Sequence, residues 1–181
     1  MVRNCDILCV QETRLPGSQL AGDPESEARA KLKKKGYKSI FEPGVSTAKG
    51  SISAGVLLAW KATLSSVSLG MIVPNRAVGA IITLDFLGQV VVVSLYGHDS
   101  SWEKTKGDLE TIFHAVAKVG KPFVIAGDFN ACPELVHQYL IDSNIPATIV
   151  TAGKPTCHSA GAPSCIDFLL FTKGLLGASP K

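Results

Sequence analysis

Lys121 to Asn130 constrains this chain more than any other stretch. Pro122-Phe123-Val124-Ile125-Ala126 is an apolar, β-prone run that passes without a spacer into Gly127-Asp128-Phe129-Asn130. A short apolar run bounded by a turn signal reads as a buried strand, and this one ends by presenting a carboxylate and a carboxamide. In extended backbone, residues two apart leave the same face, so Asp128 and Asn130 are expected to converge on one small polar object while Phe129 turns inward. Gly127 lets that object approach the main chain closely. Asp and Asn are also ordinary turn formers, so the tetrapeptide alone does not separate a site from a strand-ending turn.

Three other segments are built in a similar way. Cys5-Asp6-Ile7-Leu8-Cys9-Val10 delivers Gln11 and Glu12 at its end, and the β-branched run Gln89 to Leu95 delivers Tyr96-Gly97-His98-Asp99. In Ser164-Cys165-Ile166-Asp167-Phe168-Leu169-Leu170-Phe171 the carboxylate is expected inside an apolar strand, after a turn at Gly161-Ala162-Pro163. A buried Asp there requires a partner. Polar residues at would-be core positions cost stability unless something uses them, so four such segments point to a shared site.

Taken together these segments resemble the endonuclease/exonuclease/phosphatase superfamily of metal-dependent phosphodiesterases. Gln11-Glu12-Thr13 is similar to its QE[TS] motif, Ser53-Ala54-Gly55-Val56 to its small-Gly-Val strand, and Asn75-Arg76-Ala77-Val78 to the Arg that opens the next hairpin. Tyr96-Gly97-His98-Asp99 resembles the Tyr-x-x-Asn/Asp segment, Gly127-Asp128-Phe129-Asn130 the GD[FLW]N motif, and Ile166-Asp167-Phe168 the [IL]DY/F motif. Thr156, upstream of Asp167, is reminiscent of retrotransposon-type endonucleases. The resemblance implies a two-sheet, four-layer α/β sandwich. Two family segments lack counterparts: the only Asn before Glu12 is Asn4, on the approach to the wrong strand, and Thr172 to Lys181 contains neither Asp nor His. Residues 1–181 are therefore expected to form one incomplete domain without the first Asn-bearing strand and the final Ser-Asp-His motif, and with little activity as it stands.

What the resemblance implies about chemistry follows from phosphodiester hydrolysis, in which a hard divalent cation neutralises the phosphoryl oxygens while a water is deprotonated. Glu12 is the expected ligand of Mg²⁺ or Mn²⁺, bound weakly with one carboxylate. Asp128 would orient or deprotonate the water, Asn130 would hold it and a phosphate oxygen, and Tyr96 would donate to the phosphate. His98 and Asp99 are expected beside the substrate, although a solvent-facing His98 fits equally well. Asp167 would orient the histidine that the chain lacks. The expected partner is nucleic acid, DNA in particular, within a larger polyprotein that includes a reverse transcriptase. A lipid or nucleotide phosphatase and a non-catalytic remnant are the alternatives.

Composition agrees with one globular unit. At 181 residues and 46% hydrophobic, the chain can bury a sizeable core, and a net charge of +3 permits an anionic partner without demanding one. Arg29, Lys31, Lys33, Lys34, Lys35 and Lys38 concentrate charge where a helix is expected to end, and cations there complement its dipole. The five cysteines, Cys5, Cys9, Cys132, Cys157 and Cys165, include no CxxC pair, which argues against a disulfide framework and a zinc site. Cys5, Cys9 and Cys165 read as small core residues of a reduced, intracellular, soluble protein. No apolar run reaches the ~20 residues of a membrane span. Strands are expected over Ile7 to Gln11, Tyr37 to Glu42, Gly55 to Trp60 and Leu64 to Met71, with a mobile Gly- and Ser-rich loop over Pro43 to Ala54. Ala77 to Asp85 and Gln89 to Leu95 form a hairpin, and helices are expected over Glu25 to Lys35, Trp102 to Val119 and Pro133 to Ser143.

Overall fold

The computed structural model describes residues 5–17, 22–48, 50–99, 101–157 and 163–175. In chain order the first strands are β1 (Ile7–Gln11), β2 (Tyr37–Glu42), β3 (Val45–Ser46), β4 (Ile52–Ser53), β5 (Val56–Lys61) and β6 (Ser66–Val73). They are followed by β7 (Ala77–Leu84), β8 (Gly88–Tyr96), β9 (Phe123–Asp128), β10 (Ala147–Thr151) and β11 (Asp167–Thr172). The helices are α1 (Pro24–Lys34), α2 (Trp102–Val119) and α3 (Pro133–Asp142).

Local chemistry sets the helix ends. Asp23 caps α1, its Oδ1 accepting from Ser26 N–H at 2.8 Å, and Pro24 opens the helix where its missing donor costs nothing. Lys31, Lys33 and Lys34 occupy the last turn, as the charge pattern anticipates. Gly120, at φ 64°, ends α2 in the left-handed conformation that glycine adopts freely. Along α2, Leu109, Ile112 and Val116 are buried at helical spacing, and this stripe fixes the face that meets the sheet.

Strands β1, β5 and β2 form a three-stranded antiparallel sheet in that order. A six-stranded sheet has the order β10-β11-β9-β8-β7-β6, antiparallel except for the pair β8 and β9. A parallel pair needs a long crossover, and α2 supplies it. Three apolar layers join the elements. One, between the sheets, joins Val56, Leu58 and Trp60 to Val78, Ile82, Val90 and Val92. A second covers the large sheet's outer face with Leu109, Ile112, Val136 and Leu140 from α2 and α3, and a third packs Ala28 and Leu32 of α1 on Phe41 and Leu57. The result is the helix-sheet-sheet-helix sandwich that the resemblance implies. No helix among the described residues is long and apolar enough to cross a membrane.

Several local expectations change. The segment after Pro43 holds the small hairpin β3-β4, closed by hydrogen bonds between Thr47 and Ser51, rather than an unstructured loop. Strand β10 escapes sequence reading because Ala147 to Thr151 is brief and half exposed, and its place is fixed by pairing with β11. Asp167 opens β11 instead of lying within a strand, because the preceding residues pair locally through Cys157 and Ser164. Cys5 and Cys165 are half-buried rather than core residues because they precede their strands, whereas Cys9, also half-buried, packs against the apolar layer between the sheets. Desolvation still pushes the Cys9 thiol up to about 12.

Candidate active site

Strand register assembles the polar residues at one end of the sandwich. The parallel β8-β9 pair places Tyr96 beside Asp128, and the antiparallel β9-β11 pair places Asp167 opposite Asp128. From the other sheet, Gln11 Nε2 donates to Ser94 Oγ at 3.1 Å, which ties the end of β1 to β8 just before Glu12. Charge effects report the resulting proximity. Burial pushes the Asp128 carboxyl up to about 6; the Asn130 N–H opposes this, and the nearby carboxylates of Asp167, Glu12 and Asp99 add to it. The Tyr96 phenol is also raised, first by burial and then by Glu12 and Asp128, with Arg76 opposing.

The backbone is packed tightly enough to hold this arrangement. A Cβ on Gly127 would fall 1.8 Å from Leu95 O, and one on Gly97 would fall 2.1 Å from Phe129 O, so both positions require glycine. Gly97 N–H donates to Asp128 O at 2.7 Å. The carbonyl of Gly97 accepts from Asn130 Nδ2 at 3.1 Å and from Arg76 Nη1 at 2.9 Å. The Arg76 guanidinium lies over the Tyr96 ring, 4.8 Å from its centroid. Phe129 is fully buried and stacks on Phe168 with ring centroids 4.0 Å apart, as its inward orientation requires.

Asn130 reaches its place by a route that simple strand alternation does not give. Its φ is 48°, and its N–H donates to Asp128 Oδ1 at 2.9 Å, so a side-chain-closed turn, rather than continued strand, sets the two residues' relation. Glu12 (φ 53°), Arg14 (51°), Ala54 (64°) and Asn75 (60°) are also left-handed without being glycine. These residues are stitched together by Thr13 N–H to Gly55 O, Arg14 N–H to Ala54 O and Gly55 N–H to Asn75 O. Such backbone costs on the order of 1–3 kcal/mol per residue, and its concentration at one edge is typical of functional sites.

Glu12 Oε1 accepts from Arg14 through Nε at 3.1 Å and through a shorter contact to Nη2. The buried Thr13 hydroxyl beside it has no hydrogen-bond partner. Glu12, Asp128 and Asn130 carry hard oxygen donors of the kind Mg²⁺ takes, and a cation at Glu12 would compete with its Arg14 partner. Among the described residues no three of Asp, Glu, His and Cys are grouped as a ready-made cage, so a cation here would rely on Glu12, water and substrate oxygens.

At Asp167 the main chain is anchored and the carboxylate is open. Thr156 Oγ1 accepts from Ile166 N–H and Asp167 N–H, both at 3.1 Å. No described side chain hydrogen-bonds the Asp167 carboxylate. None of the described histidines hydrogen-bonds it. His98 turns toward α2, with Nε2 3.1 Å from Asp108 Oδ2, while its N–H donates to Thr105 Oγ1 at 2.8 Å. That pair lacks hydrogen-bond alignment, and burial followed by the Arg76 charge lowers the His98 pKa. His114 and His137 are exposed on α2 and α3, and His158 lies outside the described residues. Asp99 remains within electrostatic range of Tyr96 and Asp128. Sequence reasoning noted Arg76 only as a motif residue and missed Arg14 and Asp108. An Arg directly before an apolar strand was the available signal for Arg76.

Comparison with known proteins points the same way. No curated protein sequence matches the chain. Among solved structures, the human Nocturnin catalytic domain with bound sulfate is 19% identical at a TM-score of 0.58, with 93% of this chain and 69% of that one covered. The endonuclease domain of TRAS1, a telomere-specific non-LTR retrotransposon, is 16% identical at a TM-score of 0.56, covering 78% and 69%. The Xenopus laevis APE2 catalytic domain is 16% identical at 0.61, covering 96% and 76%. These likenesses establish the fold. The family profile adds sequence evidence, matching residues 1–180, and on that match the chain belongs to the endonuclease/exonuclease/phosphatase family.

Proposed function

We propose that the cluster is the centre of a metal-assisted phosphodiesterase that cleaves DNA. The observation that supports this most is the convergence of Glu12, Tyr96, Asp128 and Asn130 at one end of both sheets, with Arg76 over Tyr96. A divalent cation held by Glu12, when bound, supplies charge that stabilises the phosphoryl oxygens. The remaining work falls to this chain's own groups. Asp128, raised to about 6, takes a proton from an attacking water near neutral pH, where a base of matched pKa is most effective. Asn130 commits its Nδ2 to Gly97 O, which leaves its Oδ1 to orient that water. Tyr96 stays protonated and donates to a phosphate oxygen, with Arg76 fixing its ring. DNA is favoured because one solved structure of this fold is the endonuclease domain of a non-LTR retrotransposon, and a larger polyprotein with a reverse transcriptase belongs to the same proposal.

None of the described histidines hydrogen-bonds Asp167, and a general acid or base of that kind is worth ~10²–10⁴-fold in rate. The test is Mg²⁺-dependent nicking of plasmid and abasic-site DNA, run beside phosphoinositide hydrolysis and Mn²⁺ binding followed by electron paramagnetic resonance. Slow DNA nicking that Asp128→Ala abolishes, with Mn²⁺ binding weakened by Glu12→Gln, is the expected result. Hydrolysis of phosphoinositide alone would transfer the site to the phosphatases. The absence of both cation binding at Glu12 and product from any substrate would end the catalytic reading.

A further inference from the structure

The two halves of the cluster come from different sheets: Glu12 follows β1 of the small sheet, whereas Tyr96 and Asp128 end β8 and β9 of the large one. Any slide of one sheet over the other would change the spacing between the cation side of the site and the water side. The apolar layer between the sheets resists their separation, but apolar contact is non-directional and does not fix lateral position. Directional bonds do that. Gln11 to Ser94 is one, and Asn75 supplies three more.

Asn75 sits in the turn that joins β6 to β7, closed by Arg76 N–H donating to Val73 O at 3.1 Å. Pro74 followed by a left-handed Asn75 (φ 60°) is the residue pattern of a type II turn. From this turn of the large sheet, Asn75 N–H donates to Glu42 Oε1 at 3.1 Å, and Asn75 Nδ2 donates to Pro43 O at 2.9 Å. Its carbonyl accepts from Gly55 N–H at 3.2 Å. All three partners belong to the small sheet's edge, where Glu42 and Gln11 both pair in register with Val56. Gly55 O and Ala54 O then accept from Thr13 N–H and Arg14 N–H, so the residues after Glu12 hang from the same junction. On its other side, Arg76 O accepts from Tyr96 N–H at 2.8 Å, and the Arg76 guanidinium covers the Tyr96 ring. One turn holds both halves.

We propose that Glu42 and Asn75 are positioning residues that lock the two sheets together at this edge and so set the spacing of Glu12 from the Tyr96–Asp128 pair. They act through the main chain around Gly55 and Arg76. A carboxylate is the stronger acceptor for a main-chain N–H, which suits Glu42 to the task. What the spacing serves rests on the phosphodiesterase reading, in which a misplacement of about 1 Å can cost ~10²-fold in rate. The clamp itself can be observed without that reading.

Three variants of the full chain separate the parts. Glu42→Ala removes the acceptor, Glu42→Gln keeps an oxygen in its place, and Asn75→Gly keeps the left-handed turn while removing the bond to Pro43. Binding of Mn²⁺ alone, followed by electron paramagnetic resonance, should weaken about 10–100-fold in Glu42→Ala, the range for groups that orient a metal ligand, and recover in Glu42→Gln. Amide exchange at Thr13 and Arg14, followed by NMR, should accelerate at least about tenfold in Glu42→Ala and Asn75→Gly, beyond any change at the β7-β8 amides. A merely structural role would lower the melting temperature and move all these amides together, with Mn²⁺ affinity unchanged. That result would overturn the proposal. Equal damage from Glu42→Gln and Glu42→Ala would also overturn it, because acceptor geometry would then not be what matters. A parent chain that binds no Mn²⁺ would count against the phosphodiesterase reading instead, and exchange at Thr13 and Arg14 would then decide the clamp alone.

Discussion

Asp128 and Asp167 face each other across the antiparallel β9-β11 pair, the last residue of one strand opposite the first of the other. Like charges placed directly opposite on a sheet repel. Burial makes Asp128 the group that retains its proton, and Asp167 adds to the shift. Burial, with Asp167 adding to it, thus raises the Asp128 carboxyl to about 6.

The first prediction is a pH dependence of stability. The Asp128 pKa in the fold, about 6, lies above the unfolded value of about 3.9. The native state therefore binds more protons than the unfolded state between these values, and stability contributed by this group falls as pH rises through that window. Asp128→Asn removes the titration. Its Tm should fall less than the parent's between about pH 4.5 and 7.5, and at the upper pH it should be more stable by on the order of 1 kcal/mol, allowing for solvent screening. Parallel pH profiles for the two proteins would refute the assignment.

The second concerns Gly127. A methyl group there meets the Leu95 carbonyl at 1.8 Å, and neither strand can retreat without breaking the β8-β9 pairing that sets Tyr96 against Asp128. Gly127→Ala should cost at least about 3 kcal/mol in urea unfolding, at or beyond the upper range for overpacking. Gly107→Ala, on α2 with open space around its Cβ, is the matched control and should be neutral or mildly stabilising. Similar unfolding midpoints for both variants would show that the site's backbone is looser than described.

Phe129 gives the third. It is fully buried, and its ring stacks on Phe168 at an interplanar angle of 7°. Phe129→Ala should cost about 3–5 kcal/mol, as large-to-small core changes do. Phe129→Leu should recover most of that. Circular dichroism melts separate the two, and a cost below about 1 kcal/mol for the alanine variant would mean that Phe129 is not an anchor for its acidic neighbours.

Much of this architecture was legible in the residues because local signals and tertiary demands agree. The α2 stripe, the Asp23 cap and the β7-β8 hairpin each state their structure within a short window. Strand ends carrying Glu12, Tyr96 and Asp128 were legible for the same reason, since apolar runs stop abruptly at polar residues. What remained hidden depends on distant partners. Strand β10 exists because β11 gives it an edge to pair with. The Asn130 geometry depends on the Asp128 carboxylate and the Gly97 carbonyl, and His98 is drawn to α2 by Asp108. Arg14 was missed because a surface Arg two residues past a Glu has no distinctive pattern.

Thr156 offers the most selective test of how the acidic pair is positioned. Its hydroxyl is the acceptor for two successive main-chain donors, Ile166 N–H and Asp167 N–H, at the point where β11 begins. Thr156→Val keeps the shape and removes the acceptor, leaving part-buried donors unsatisfied at about 1–3 kcal/mol each. The damage should be local: exchange at Ile166 and Asp167 should accelerate while the β8-β9 amides stay protected. As Asp167 loosens, its field at Asp128 weakens, and the Asp128 pKa should move down from about 6 toward the ordinary carboxylate range. Thr156→Ser, which keeps the hydroxyl, should restore both readouts. An NMR titration of Asp128 that is identical in Thr156→Val and the parent would show that Thr156 only stabilises a turn and does not set the spacing of the two carboxylates.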